Sequence, residues 1–304
     1  MMLTSSINRY IELRRALGFK LDTDEVLLRS FARFALERGL EHIESSTVLA
    51  WADSSTTARQ RDKRTRTVVG FARFLHAEDP RHEIPPRPLP CNAHVRPLPY
   101  IFTQQEIIRL AEAAAQLSPP TSLRPLTFST LYSLLAVTGL RISEALCLRL
   151  HDFTPDGLVI RETKFRKNRL IPLHESTTRA LNRYIKRRLC AATESDHLFV
   201  SLKGTPLCYA TALRTFRELC DCVGLFGVPP GHRPRLHDLR HTAAVRALEA
   251  CPHARDQVTP HMLALSTYLG HASVRGTYWY LQSTPRLMSD VSGAAETWLA
   301  GDVQ

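Results

Sequence analysis

The sequence lacks a long apolar run. Its longest, around Leu131–Leu140, is broken by Tyr132, Ser133, Thr138 and Gly139. A membrane span needs roughly 18 or more apolar residues, so none is expected. Between Met1 and Gly18, arginines stand where a secretory leader would carry its apolar core, which points to a cytoplasmic protein. Cysteine is sparse: seven in 304 residues, odd in number and scattered, so a disulfide framework is excluded and reduced thiols are expected. No Gly-rich nucleotide loop, internal repeat of solenoid length or low-complexity segment is present. Lysine is scarce too, supplying six of the 40 basic residues.

What is present is arginine. Forty basic residues against 29 acidic ones leave a net charge of +11. Codon bias accounts for an Arg:Lys ratio but not for a net charge. The planar guanidinium fork grips phosphate bidentately, and an excess of this size favours a polyanion, nucleic acid before an anionic membrane surface.

With 44% hydrophobic content, 304 residues are enough for two packed domains. Seven of the nineteen prolines lie between Asp79 and Pro99, a stretch that cannot be helix and favours extended polyproline geometry. It divides an N-terminal domain, 1–84, from a catalytic domain, 100–304, by a linker at 85–99. The linker's central residues could reach on the order of 40 Å, enough for two domains to sit on different faces of one duplex.

Before the linker all signals are helical. Ser5/Ser6 open a helix carrying Ile7, Tyr10, Ile11 and Leu17, and Gly18 closes it; Thr23 or Asp24 opens a second, with Leu27, Phe31 and Phe34 on one side. A short helix follows near Thr47–Asp53. A fourth, from about Thr57 to Glu78, turns Val68, Phe71 and Leu75 to a core and Arg59, Lys63 and Arg66 outward. Charge stripes are usually solvated faces, but here only Asp62 offsets five basic residues, which favours phosphate contact.

After the linker, helices dominate with one interruption. Gly157–Arg161 and Arg169–Leu173 are short β-prone runs around a basic turn at 163–168 and read as a hairpin. Helices resume near Thr177–Ala191, Tyr209–Val223, Leu239–Ala250, Pro260–Leu269 and Gly276–Gln282. A last one, Arg286–Leu299, places Leu287, Val291, Ala294 and Trp298 on one face, to be buried in its own subunit or on a neighbour. The fold class is therefore mainly α with a small β-hairpin.

Four short pieces offer groups suited to a phosphodiester. In ThrGlyLeuArgIleSerGluAlaLeu, 138–146, Arg141 opens a helix whose positive end favours anions. Lys164 sits on the hairpin tip, with Arg166 and Lys167 beside it. In HisAspLeuArgHisThr, 237–242, His237 and Arg240 lie three apart on one helical face. The fourth, LeuGlyHisAlaSerValArgGlyThrTyrTrpTyr, 269–280, contains His271 and Tyr280. Singly each is weak; a second His-x-x-Arg, His232 to Arg235, even occurs around Pro234.

Taken in order, Arg, hairpin Lys, His-x-x-Arg and Leu-Gly-His with a Tyr nine residues beyond resemble the tyrosine recombinase (phage integrase) family, with wording at 265–271 and 277–281 like its transposon-encoded branch. The resemblance implies an N-terminal helical core-binding domain and a C-terminal catalytic domain that cuts and rejoins DNA through a 3′-phosphotyrosine bond, without cofactor or metal, for integration or excision of a mobile element. By match to the motifs, Arg141 and Arg240 clamp the scissile phosphate. Lys164, eight residues before Pro172, protonates the leaving 5′ oxygen, His237 is the acid/base, His271 donates to the phosphate, and Tyr280 is the nucleophile. Arg59, Lys63, Arg66, Arg166 and Lys167 would contact DNA backbone. The implied partners are double-stranded DNA bound by a homotetramer on paired sites, companion recombinases of the same element, and no membrane; the location is the cytoplasm, on the nucleoid.

The spacing from His237 to His271 exceeds the family's by about seven residues, with 251–260 expected to loop out. Cys220, Cys222, His232 and His237 fit no standard zinc spacing. Two rival readings are an idle DNA-binding protein on the same scaffold and a strand-relaxing topoisomerase-like enzyme.

Overall fold

The computed structural model describes residues 2–86, 98–161, 168–191, 193–225, 233–250, 255–271, 273, 276–277 and 280. The chain divides into two compact units, Met1–Arg96 and Pro97–Gln304. Most of the expected linker lies outside the described residues, as do the helix at 286–299 and most of Gly276–Gln282.

The first unit contains α1 (Met2–Ala16), α2 (Asp22–Leu36), α3 (Ser45–Asp53) and α4 (Ala58–His76). Leu28, Phe31, Ala32 and Ala35 form the buried stripe of α2. They meet Ile7 and Ile11, Val48 and Trp51, and Val68, Phe71 and Leu75 in one core. α1 starts ahead of Ser5/Ser6 because Leu3, itself buried, continues the four-residue spacing of Ile7 and Ile11. Thr57 caps α4, its hydroxyl accepting from the Gln60 N–H at 3.2 Å.

The second unit contains α5 (Gln104–Ala115), α6 (Arg124–Thr138), α7 (Ile142–Cys147), a 3-10 turn (Leu150–Asp152), β1 (Phe153–Thr154), β2 (Gly157–Ile160), β3 (Arg169–Ile171), α8 (Glu175–Leu189), α9 (Tyr209–Cys222), α10 (Asp238–Glu249) and α11 (Arg255–Leu269). α6 is buried on nearly every side, through Phe128, Leu131, Tyr132, Leu134 and Leu135. The longest apolar run of the sequence is thus the central helix of a packed unit. Among the described residues, no helix is long and apolar enough to cross a membrane.

The strands form one antiparallel sheet in the order β1-β2-β3, with Leu158 opposite Ile171 and Ile160 opposite Arg169. The expected hairpin is present. The two-residue β1 leaves no alternating pattern to read. Gly157 sits at φ 132°, and a Cβ there would lie 2.2 Å from the Ile171 carbonyl oxygen, so only glycine lets the strands close. α11 begins five residues before Pro260 and carries it inside. Proline reads as a helix start because it lacks an N–H, but here the helix precedes it. Part of the segment expected to loop out, 255–260, is therefore helix.

Candidate functional site

The end of α6, the start of α10 and the turn after α11 converge. Arg141 is the residue before α7, with extended backbone (φ −68°, ψ 142°). Its guanidinium donates to Glu144 Oε1 at 2.8 Å and to the Gly270 carbonyl at 3.0 Å. Arg240, 2% exposed, donates to the Gly139 carbonyl at 2.7 Å, the Leu269 carbonyl at 2.7 Å and His271 Nε2 at 3.1 Å. Burial and the neighbouring Arg141 pull the Arg240 pKa down to about 10, against Tyr280 and Glu144, which raise it. It stays cationic at neutral pH.

An arginine can only donate, so His271 Nε2 accepts from Arg240. The neutral ring then carries its proton on Nδ1, which donates to Thr277 Oγ1 at 2.8 Å. Burial, then Arg240 and Arg141, depress the His271 pKa to about 4, so this neutral form holds at pH 7. The imidazole therefore meets a ligand with its lone pair turned to Arg240.

His237 precedes the first residue of α10, where buried Asp238 accepts from the Arg235 N–H at 2.8 Å and guanidinium at 2.9 Å. That cap fixes the entry of the chain into the helix. The ring of His237 keeps a solvent-facing edge; partial desolvation, then Arg240, lower its pKa to about 4. His241, one turn on, packs edge-on to it at 4.6 Å and lies 5.3 Å from the ring of Tyr280. Tyr280 is 3% exposed and stacks at 6.0 Å on His271.

Arg141, His237, Arg240, His271 and Tyr280 are thus brought together. Lys164, Arg166 and Lys167, on the hairpin tip, lie outside the described residues. In the first unit Arg59, Lys63 and Arg66 are exposed and line a concavity with Tyr10, Arg14 and Thr67. Several basic residues of that helix are already paired: Arg66 with Asp62 at 2.9 Å, Arg61 with Asp53 at 2.9 Å, and Arg64 with the Trp51 carbonyl at 2.8 Å.

Four participants are given no role by the resemblance: Glu144, Arg169, His241 and Thr277. Glu144 stands where a helix's third residue reaches back to its cap, a signal the sequence does carry. Arg169 reads only as the first residue of a strand.

Among the described residues, His42, Asp79 and His82 have metal-like spacing. The Ile43 N–H donates to His82 Nδ1 at 3.1 Å, placing that neutral ring's proton on Nε2, and Arg81 holds both Asp79 oxygens. Arg81 and the Ile43 N–H thus already engage two of its three side chains.

Residues 101–286 match the model of the phage integrase family. The chain belongs to that family. An integrase/recombinase of Sinorhizobium fredii, y4rB, is 41% identical over 295 residues, covering 94% of each chain. Tyrosine recombinase XerD of Mycobacterium tuberculosis is 29% identical over 296 residues, covering 88% of each. In fold, the phage integrase unit and its helical partner resemble the Tn1549 transposon integrase in complex with transposon right end DNA, at TM-score 0.68 and 17% identity over 98% of each chain. A lambda integrase dimer bound to a core site gives TM-score 0.65 at 21% identity, covering 94% of this chain and 97% of that one.

Proposed function

We propose that this chain is a site-specific DNA recombinase that cuts and rejoins strands through a 3′-phosphotyrosine bond to Tyr280. The reading rests on one observation above all: two guanidiniums, two neutral imidazoles and a tyrosine from four separate segments meet in one pocket. Tyr280 Oη attacks the scissile phosphorus, the P–O5′ bond breaks, and Lys164 gives the departing 5′ oxygen its proton. Neutral His237 takes the tyrosyl proton as Oη attacks. Arg141 and Arg240 stabilise the charge gathering on the non-bridging oxygens. A phosphate entering the pocket draws Arg240 off His271 Nε2, which then donates only once protonated. A second 5′ hydroxyl attacks the phosphotyrosine, Tyr280 leaves with its proton restored, and the bond energy is conserved, so no ATP is consumed.

The helical domain 1–84 binds and clamps DNA, and the linker 85–99 joins it to the catalytic domain 100–304. Arg59, Lys63, Arg66, Arg166 and Lys167 carry backbone contacts. Four copies act on paired sites of a mobile element of the transposon type, with companion recombinases of that element, in the cytoplasm on the nucleoid. A nicked suicide duplex spanning the ends of the element tests the reading: the wild-type chain should form a covalent, denaturation-resistant protein–DNA complex. Failure to trap one on any duplex that the protein binds specifically would reject it.

A further inference from the structure

Behind Arg141 lies a buried ion triad. Glu144 lies between two arginines, its side chain 8% exposed and that of Arg169 10% exposed. Arg169, the first residue of β3, forks onto both carboxylate oxygens, at 3.0 Å to Oε1 and 2.7 Å to Oε2. Its Nε donates to the Tyr268 carbonyl at 2.9 Å. The other face of Glu144 accepts from Arg141, from the guanidinium at 2.8 Å and from the backbone N–H at 2.9 Å. Gly270 (φ 66°) makes room for this: a Cβ there would lie 2.7 Å from Arg169 Nη1.

We propose that Arg169 is a positioning residue for the phosphate clamp: it holds the Glu144 carboxylate, and through it the Arg141 guanidinium. The inference rests on the recombinase reading above. A lone carboxylate 2.8 Å from Arg141 would cancel the clamp's charge and repel an entering phosphate. With Arg169 present the triad carries one net positive charge, and Arg141 keeps N–H groups for the ligand beyond those given to Glu144 and Gly270. Burial raises the Glu144 pKa, but Arg169, then Arg141, outweigh it and hold the carboxyl at about 2, so the carboxylate is ionised at working pH. The same fork ties the hairpin strand to the start of α7 and to the turn before His271. A lysine is a point charge and cannot hold both oxygens and the Tyr268 carbonyl together.

The test compares two suicide duplexes built on the chain's own site, one with a normal scissile phosphate and one with a methylphosphonate there, which removes the charge that Arg141 meets. Arg169→Met and Arg169→Lys should cleave the diester on the order of 100-fold more slowly, yet approach wild-type cleavage on the methylphosphonate, as should Arg141→Ala. Adding Glu144→Gln to Arg169→Met should restore much of the diester cleavage. Equal losses on both duplexes, or no recovery in the double variant, would reduce Arg169 to scaffolding and overturn the proposal. A DNA-free arm follows the Glu144 carboxyl by carbon NMR in Glu-labelled protein, with Glu144→Gln for assignment. Its titration should move up by about one unit or more in Arg169→Met; an unmoved titration rejects the link. If wild-type protein traps no complex, the recombinase reading fails, while the titration still decides whether Arg169 governs Glu144.

Discussion

Tyr278 and Tyr280 are two positions apart, about 200° around a helix, so their hydroxyls leave opposite sides and only one can meet the arginines. Tyr280 stacks on His271 and packs against His241. Tyr278→Phe should still trap covalent complex on the suicide duplex and Tyr280→Phe none; the reverse pattern would sink the assignment. For Lys164 the diagnostic is chemical. Sulfur in place of the 5′ bridging oxygen leaves with little need of a proton, so Lys164→Ala should cleave that substrate far better than the normal one. No rescue would make Lys164 a binding residue. The two histidines add a pH signature. Both titrate near 4 in the folded chain, against about 6.5 unfolded. The unfolded chain therefore binds more protons between those values, and stability rises with pH across that interval. Urea midpoints should be level above about pH 6.5 and fall steadily toward 4, and His237→Gln should flatten part of the fall. An unchanged slope would mean that the ring is not desolvated as described.

At the scale of elements, the sheet depends on one backbone position. Gly157→Ala forces a side chain into φ 132° and against the Ile171 carbonyl, a backbone cost of about 1–3 kcal/mol before any loss of pairing. We expect a lower melting temperature and, because β3 carries Arg169 and the hairpin carries Lys164, a larger drop in cleavage than in DNA binding. Equal losses of both would show that the hairpin is not coupled to the chemistry. Element ends show what local pattern carries. Thr57 marks its helix start through a capping hydroxyl, and the Thr103–Glu106 box does the same for α5. α1 and α11 start earlier than their cap-like residues suggest, because Leu3 packs in the core and Pro260 is accommodated inside a helix.

For the whole molecule, the segment beyond Tyr280 is to be buried in its own subunit or on a neighbour. Its stripe of Leu287, Val291, Ala294 and Trp298 is apolar enough to need burial. If it docks on a neighbouring copy, the contact is heterologous and closes into a ring, tying the position of Tyr280 to synapsis. Deleting residues 286–304 should leave a soluble monomer that binds its site with near-normal affinity and forms no higher-order complex in gel-shift and sedimentation experiments. A truncated chain that misfolds or synapses normally counts against docking in trans.

The sequence by itself carried the class of chemistry through its resemblance to a known family, whose motifs at 138–146, 237–242 and 269–280 name Arg141, His237, Arg240, His271 and Tyr280 as one set. It also determined the helices of the first unit, whose apolar residues recur at three- and four-residue intervals around Phe31 and Phe71. Tertiary structure alone decided how those groups are held. Arg169 meets Glu144 across 25 residues and Arg141 meets Gly270 across 129, and a contact between distant segments leaves no period for a sequence to display. The tautomer of His271 belongs to the same class. It is fixed by Arg240 on one ring nitrogen and Thr277 on the other, and a proton's place on a ring follows from its partners in space rather than its neighbours in the chain.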